Sequence, residues 1–340
     1  GSMAFQRFTG GLLSIFLTLS GAADEPLAAP QVTSLTNVAV EYTVPKSHHV
    51  VLKRSGVTAV IVDNAAVDVP ELPGHRAGYN GIASFSHDDE PRNLFVPSYA
   101  GLNFEHIHDG TTANLKNKFE PRAFPMQLRV IDEFTVEVYQ SPTDHWKLES
   151  CGRYRLLEDG VIEYTFECIP RQTDYENDYI GLFWASYIDR PLKKSIFFKG
   201  VGRKETGAPR WIEGITPAHG VESTHAPSEF SMLPKVETDF PLTLVNHPSP
   251  HLYSEPWYFG LRGKMAFVQM FRMQDRIWFA QSPTGGGQNN PAWDFQWFIP
   301  NPKGGRVYGF VMRATLISFE SREKIVRETA PHRRALNPNL

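Results

Sequence analysis

The chain has 340 residues, enough to bury a sizeable core in one large domain or two medium ones. Its 34 Lys plus Arg against 37 Asp plus Glu leave a formal net charge of −3, which excludes the basic stripe of a nucleic-acid binder. Aromatics at 12% with 26 Gly and 26 Pro suit strands joined by tight turns and argue against a helical bundle.

Gly1 and Ser2 ahead of Met3 read as a cloning remnant. Arg7 precedes an apolar run over 10–19 and small residues through Ala23, so 1–23 is expected to hold a secretory signal peptide. The run is short for a bilayer span, and no later stretch is long and apolar enough for one. The expected organisation is a flexible lead-in over 24–35, a single β-sandwich domain over 36–320, and a charged tail over 321–340 that can form a short surface helix. Secreted or periplasmic placement follows from the leader.

Period-two alternation recurs through the body of the chain and helical periodicity is scarce. Strands are expected at 38–44, 49–53 and 58–62, then in a hairpin of 126–131 with 135–139. A second hairpin joins 146–157 to 161–168. Further strands fall at 180–188, 195–199, 264–272, 276–281, 294–299 and 306–318. Segments 86–125 and 201–256 lack a regular pattern, and loops of that length inside a domain are usually functional.

The second hairpin carries the only cysteines, Cys151 and Cys168. A two-residue Asp159-Gly160 turn would set them opposite each other, whereas a three-residue loop with left-handed Gly160 would pair Leu157 with Val161. Only the longer loop puts Tyr154, Leu156, Ile162, Tyr164 and Phe166 on one face, with Arg153, Arg155, Glu163 and Glu167 on the other. It is therefore expected, with the thiols free and on opposite faces.

Tyr79-Asn80-Gly81-Ile82-Ala83-Ser84, leading into Asn93-Leu94-Phe95-Val96-Pro97, resembles the early strands of galactose-mutarotase-like sandwiches. The cadence of residues 153–166 does so too, and Asp294 lies about where aldose 1-epimerases carry a catalytic acidic residue. The resemblance covers most of 36–318. It implies an all-β fold, a large and mostly antiparallel β-sandwich with few short helices, and sugars as the substrate class. The local contexts of the epimerase histidine acid and glutamate base are missing, so that reaction is not implied.

Glu105-His106-Ile107-His108-Asp109 is the sharpest cluster, because on a strand His106 and His108 share a face at a chelating spacing. The plainer alternative is two strand-end histidines bonded to carboxylates. His219, Glu222 and His225 lie in the second unpatterned segment, where flanking prolines argue against a zinc-protease helix and an ordinary polar loop is the alternative. Convergence of His106, His108 and His225 would give one divalent metal ion, zinc or similar, an open position. Without metal, His106, His108, His219, His225 and Glu222 remain candidate acids and bases near neutral pH.

Arg122, His145 and Tyr187 are candidate substrate contacts, Arg122 for a uronate. Trp184, Trp211 and Trp293 could stack on sugar faces, with Gln296 bonding hydroxyls, although most tryptophans in a sandwich are core. Gly285-Gly286-Gly287 lacks the context of a phosphate loop, so no nucleotide cofactor is expected. The sequence thus points to a carbohydrate-active enzyme working by isomerisation, epimerisation, elimination or hydrolysis. A noncatalytic glycan-binding protein and a cupin-type metalloenzyme are the alternatives.

Overall fold

The computed structural model describes residues 31–215, 222–228, 234–240 and 247–340. The expected leader, most of the lead-in and His219 lie outside the described residues.

The body is built of strands in two sheets. Strands β1 (His49–Arg54), β2 (Val57–Val62) and β3 (Gly81–His87) form a small antiparallel sheet. The large sheet begins with β4 (Asn103–His108), followed by the short helix α1 (Glu120–Ala123). The hairpin strands β5 (Met126–Asp132), β6 (Thr135–Gln140), β7 (Leu148–Leu156) and β8 (Ile162–Pro170) come next. Then follow β9 (Tyr179–Ala185), β10 (Ile196–Gly202), β11 (Arg210–Gly214), β12 (Thr224–Pro227) and β13 (Pro248–Tyr253). The series ends with β14 (Trp257–Arg262), β15 (Met265–Phe271), β16 (Trp278–Ser282), β17 (Ala292–Pro300), β18 (Tyr308–Ser318) and the helix α2 (Arg322–Leu336).

The large sheet has 15 strands in the order β4-β9-β17-β16-β12-β13-β10-β14-β15-β18-β8-β7-β6-β5, with β11 beside β10. Only the β12–β13 pair is parallel among the described strands. The sheet folds back on itself, because rings from its two arms meet although their strands are not paired in the ladder. Trp184 of β9 lies 4.8 Å from Phe166 of β8 and 4.9 Å from Phe310 of β18, and Trp297 of β17 lies 5.1 Å from Phe310. Alternation supplies these inward rings, since every second residue of a strand faces the same way. The fold is the expected all-β sandwich.

The second hairpin takes the three-residue loop: Leu157 N donates to Val161 O (2.8 Å), and Gly160 has φ +81°. Cys151 consequently pairs with Glu167 and Cys168 with Ser150, and both cysteines are buried free thiols.

Two elements differ from the sequence expectation, whereas the charged tail from Ser321 onward forms the surface helix that its sequence allows. Residues 38–44 form no strand and make one bridge, Thr43 with Val130. The lead-in is fixed from Val32 onward: Glu167 accepts Val32 N (3.1 Å) and Thr33 N (2.8 Å), while Glu137 accepts the Ser34 hydroxyl (2.5 Å) and Arg153 Nε (2.8 Å). Two fully buried carboxylates thus obtain the partners that burial demands. The charged tail is α2, capped by Ser321 and seated through Ile325, Thr329, His332 and Leu336. The unpatterned segments hold the short strands β4 and β11 to β13, whose few residues show no readable period.

Candidate active site

A bulge on β4 decides what the site contains. Phe104 pairs with Trp184 and His106 with Phe183, so Glu105 is the extra residue between them. Such a bulge turns two successive side chains toward one side of the sheet. Phe104 and Ile107 enter the core, whereas Glu105, His106 and His108 face the other side.

Register extends this outer face across the sheet. His106 is level with Phe183, Phe183 with Gln296, and Gln296 with Trp278. One step along, Asp294 is level with Ala280, and Ala185, Ala280, Phe183 and Tyr187 form one patch. The outer face thus alternates His106, Gln296 and Asp294 with Phe183, Trp278, Ala185 and Ala280.

Glu105, Tyr187, Arg122 and Asp294 form the charged centre. Glu105 is 5% exposed, and its Oε1 accepts the Tyr187 phenol and Arg122 Nη1 (3.1 Å). Burial raises the Glu105 carboxyl above the ordinary range, with Tyr187 and Arg122 opposing. Burial and then the Glu105 charge raise the Tyr187 phenol, which stays protonated. Asp294 accepts Ser186 N (2.9 Å), and burial with the Glu105 charge pushes it well up. A buried carboxyl that accepts a phenol and a guanidinium thus sits near a second buried carboxyl whose pKa is also raised.

Arg122 is held on α1 by contacts far apart in sequence. Its Nε donates to Gly78 O (2.7 Å), and its guanidinium lies over the Tyr79 ring at 4.1 Å. Asn64 Nδ2 (3.0 Å) and Gln140 Nε2 (3.2 Å) donate to Pro121 O, and Glu120 accepts His145 N (2.8 Å). Tyr79, Tyr99 and Tyr187 close the rim, with ring centroids 4.6 Å apart for Tyr79–Tyr99 and 4.9 Å for Tyr99–Tyr187.

The histidines divide between the two faces. His106 lies between the Phe119 (4.9 Å) and Phe183 (5.2 Å) rings, and its buried Nδ1 has no hydrogen-bond partner. Burial keeps it neutral, with the charges of Lys118 and Arg122 acting the same way. His108 Nδ1 accepts Gly110 N (3.2 Å), which puts the proton on Nε2, packed over Gly181. His225 is level with Phe279, a core residue, and lies 4.8 Å from Phe198. Its Nε2 donates to Gln281 Oε1 (2.7 Å), and its Nδ1 lies 2.7 Å from the Ser249 hydroxyl. Trp278, one residue before Phe279, shares the outer face with His106, so His225 faces the opposite way. Among the described residues no three His, Cys, Asp or Glu side chains come together as a metal site requires.

The remaining candidates scatter. Glu222 is exposed. His145 packs edge-on against Trp146 at 4.7 Å. Trp184 and Trp293 are fully buried in the core, and Trp211 meets Trp257 at 5.5 Å in the layer near α2. Gln296 lies in the outer row between Phe183 and Trp278. The two unpatterned segments do meet: Glu237 accepts Thr112 N (3.0 Å), and Phe240 lies 5.4 Å from His108.

No protein-family model matches the chain, and no curated protein sequence matches it. Among solved structures it is similar to a protein from Escherichia coli K12 provisionally classed as an aldose 1-epimerase. That match has TM-score 0.47 and 10% identity, covering 82% of this chain and 100% of the other. A galactose mutarotase related enzyme from Lactobacillus acidophilus matches with TM-score 0.45 and 10% identity, over 79% and 97%. An α-N-acetylgalactosaminidase from Bifidobacterium bifidum matches with TM-score 0.49 and 11% identity, over 85% of this chain and 39% of that one. Identity this low transfers no residue roles.

Sequence reading found Glu105, Arg122, Tyr187 and Asp294 one at a time and did not join them. Tyr79 and Tyr99 were missed as site residues. The sole signal was their place in and beside the unpatterned segment that also holds Glu105.

Proposed function

We propose that this chain is an exported carbohydrate-active enzyme that moves protons at a sugar carbon, by isomerisation, epimerisation or elimination. The observation that carries the reading is the Tyr187 phenol donating to a buried Glu105 carboxylate that Arg122 also holds. Glu105 takes the proton from the sugar C–H, because a carboxylate raised by burial is a stronger base. Neutral Tyr187 or Asp294 gives a proton to the oxygen or carbon where charge develops. His106, with a buried unpartnered ring nitrogen, is placed to bond a hydroxyl. The rim tyrosines offer faces for sugar C–H groups.

The test is a mass-spectrometric screen of oligosaccharides with the full chain, alongside Glu105→Gln and Tyr187→Phe. Elimination gives a product pair in which one fragment carries a double bond and no water has been added, while isomerisation gives an unchanged mass with altered retention. Turnover lost in both variants supports the reading. Sugar binding without turnover on any tested substrate would leave a glycan-binding protein instead.

A further inference from the structure

Beside Arg122 and Tyr79 the rim carries a ring and a charge, Phe119 and Lys118, that the acid–base centre does not use. The Arg122 guanidinium lies between Tyr79 (4.1 Å) and Phe119 (4.9 Å). Lys118 Nζ stands 4.8 Å from the Phe119 centroid, and Tyr79 continues the strip to Tyr99. Phe119 is 39% exposed, a large ring left open beside a fully buried carboxylate. Its face is open to a ligand that seats beside Arg122 and Lys118.

The strip is also unbalanced in charge. Arg122 is answered by Glu105, whereas Lys118 meets no carboxylate within ion-pair distance among the described residues. An open ring face suits the C–H face of a pyranose, and the adjacent ammonium supplies a point charge for an anion.

We propose that Phe119 and Lys118 form a second glycan subsite next to Glu105, which holds an acidic sugar unit through its carboxylate or sulfate. The substrate is then an anionic oligosaccharide of at least two units, one at the acid–base centre and one on the strip. This rests on the reading of Glu105 and Tyr187 as a site acting on sugars.

The experiment is titration calorimetry on the full chain with neutral, hexuronate-containing and sulfated oligosaccharides of equal length. Wild type is expected to bind the acidic ligands about tenfold or more tightly than the neutral one, with affinity falling as salt rises. Lys118→Met should remove that preference and leave neutral binding unchanged, while Phe119→Ala should weaken both by about tenfold. Preference for hexuronate or for sulfate identifies the source of the anion. Equal affinity for neutral and acidic ligands, or a preference that survives Lys118→Met, overturns the subsite. Turnover of neutral sugars lost in Glu105→Gln would in that case still support the acid–base centre. Failure of every glycan to bind or react would sink both.

Discussion

Tyr187 lies just past the end of β9 and Glu105 on the bulge of β4, and the phenol of one donates to the carboxylate of the other beside a patch formed by Phe183, Ala185 and Ala280. The bulge at Glu105 is what aims that carboxylate outward, since a regular register would send it or His106 into the core.

Glu105→Gln should lower turnover by about two to four orders of magnitude with little change in folding midpoint, as expected for loss of a general base. Tyr187→Phe removes a hydrogen bond that lowers the Glu105 carboxyl, so that carboxyl should rise further. The acid limb of its residual rate profile should therefore move to higher pH. A limb that stays put would separate Tyr187 from Glu105.

Gly181 lies under the His108 ring, and a Cβ there would stand 2.3 Å from Nε2. Gly181→Ala should destabilise the protein by about 1–3 kcal/mol in denaturant unfolding, the usual cost of overpacking. Combined with His108→Ala it should cost less than the two changes added together.

His225 is buried, and burial lowers its pKa to about 4. The unfolded imidazole titrates near 6.5, so between those values the unfolded chain binds a proton that the folded one refuses. Stability from this group is complete above pH 6.5 and declines as pH falls toward 4, by roughly 3 kcal/mol over the window. His225→Gln should flatten the fall of unfolding free energy across that range. An unchanged slope would contradict a neutral buried ring.

Cys151 and Cys168 face opposite sides of the sheet, and burial holds both thiols well above the ordinary range. Neither should react with a thiol reagent in the native protein, and both should react after denaturation. A single mixed or bridged product would contradict the observed register.

Chelator treatment should leave turnover unchanged. His108 uses Nδ1 on Gly110 and buries Nε2 over Gly181, and His225 faces away from His106, so the three cannot share an ion. Activity lost on chelation and restored by zinc would bring in donors other than these three.

Much of the fold was legible because alternation is a local property. Residues 153–166 alone fixed the hairpin register, since one slip would have set arginines among Tyr164 and Phe166. The same signal failed at 38–44, where alternation is present but the residues are mostly exposed and one bridge forms. It failed at β4 because all six residues are buried and the bulge breaks the period.

By itself the sequence determined a mostly β chain, the loop that parts Cys151 from Cys168, and a Glu-His-x-His cluster inside a segment with no readable period. Tertiary structure decided which of those groups meet. It placed Tyr187 and Arg122 on Glu105, brought Asp294 close enough for their charges to interact, and turned His225 away. The reason is geometric: which residues face one another across a sheet depends on strand order and on a single inserted residue, and neither is written in local periodicity.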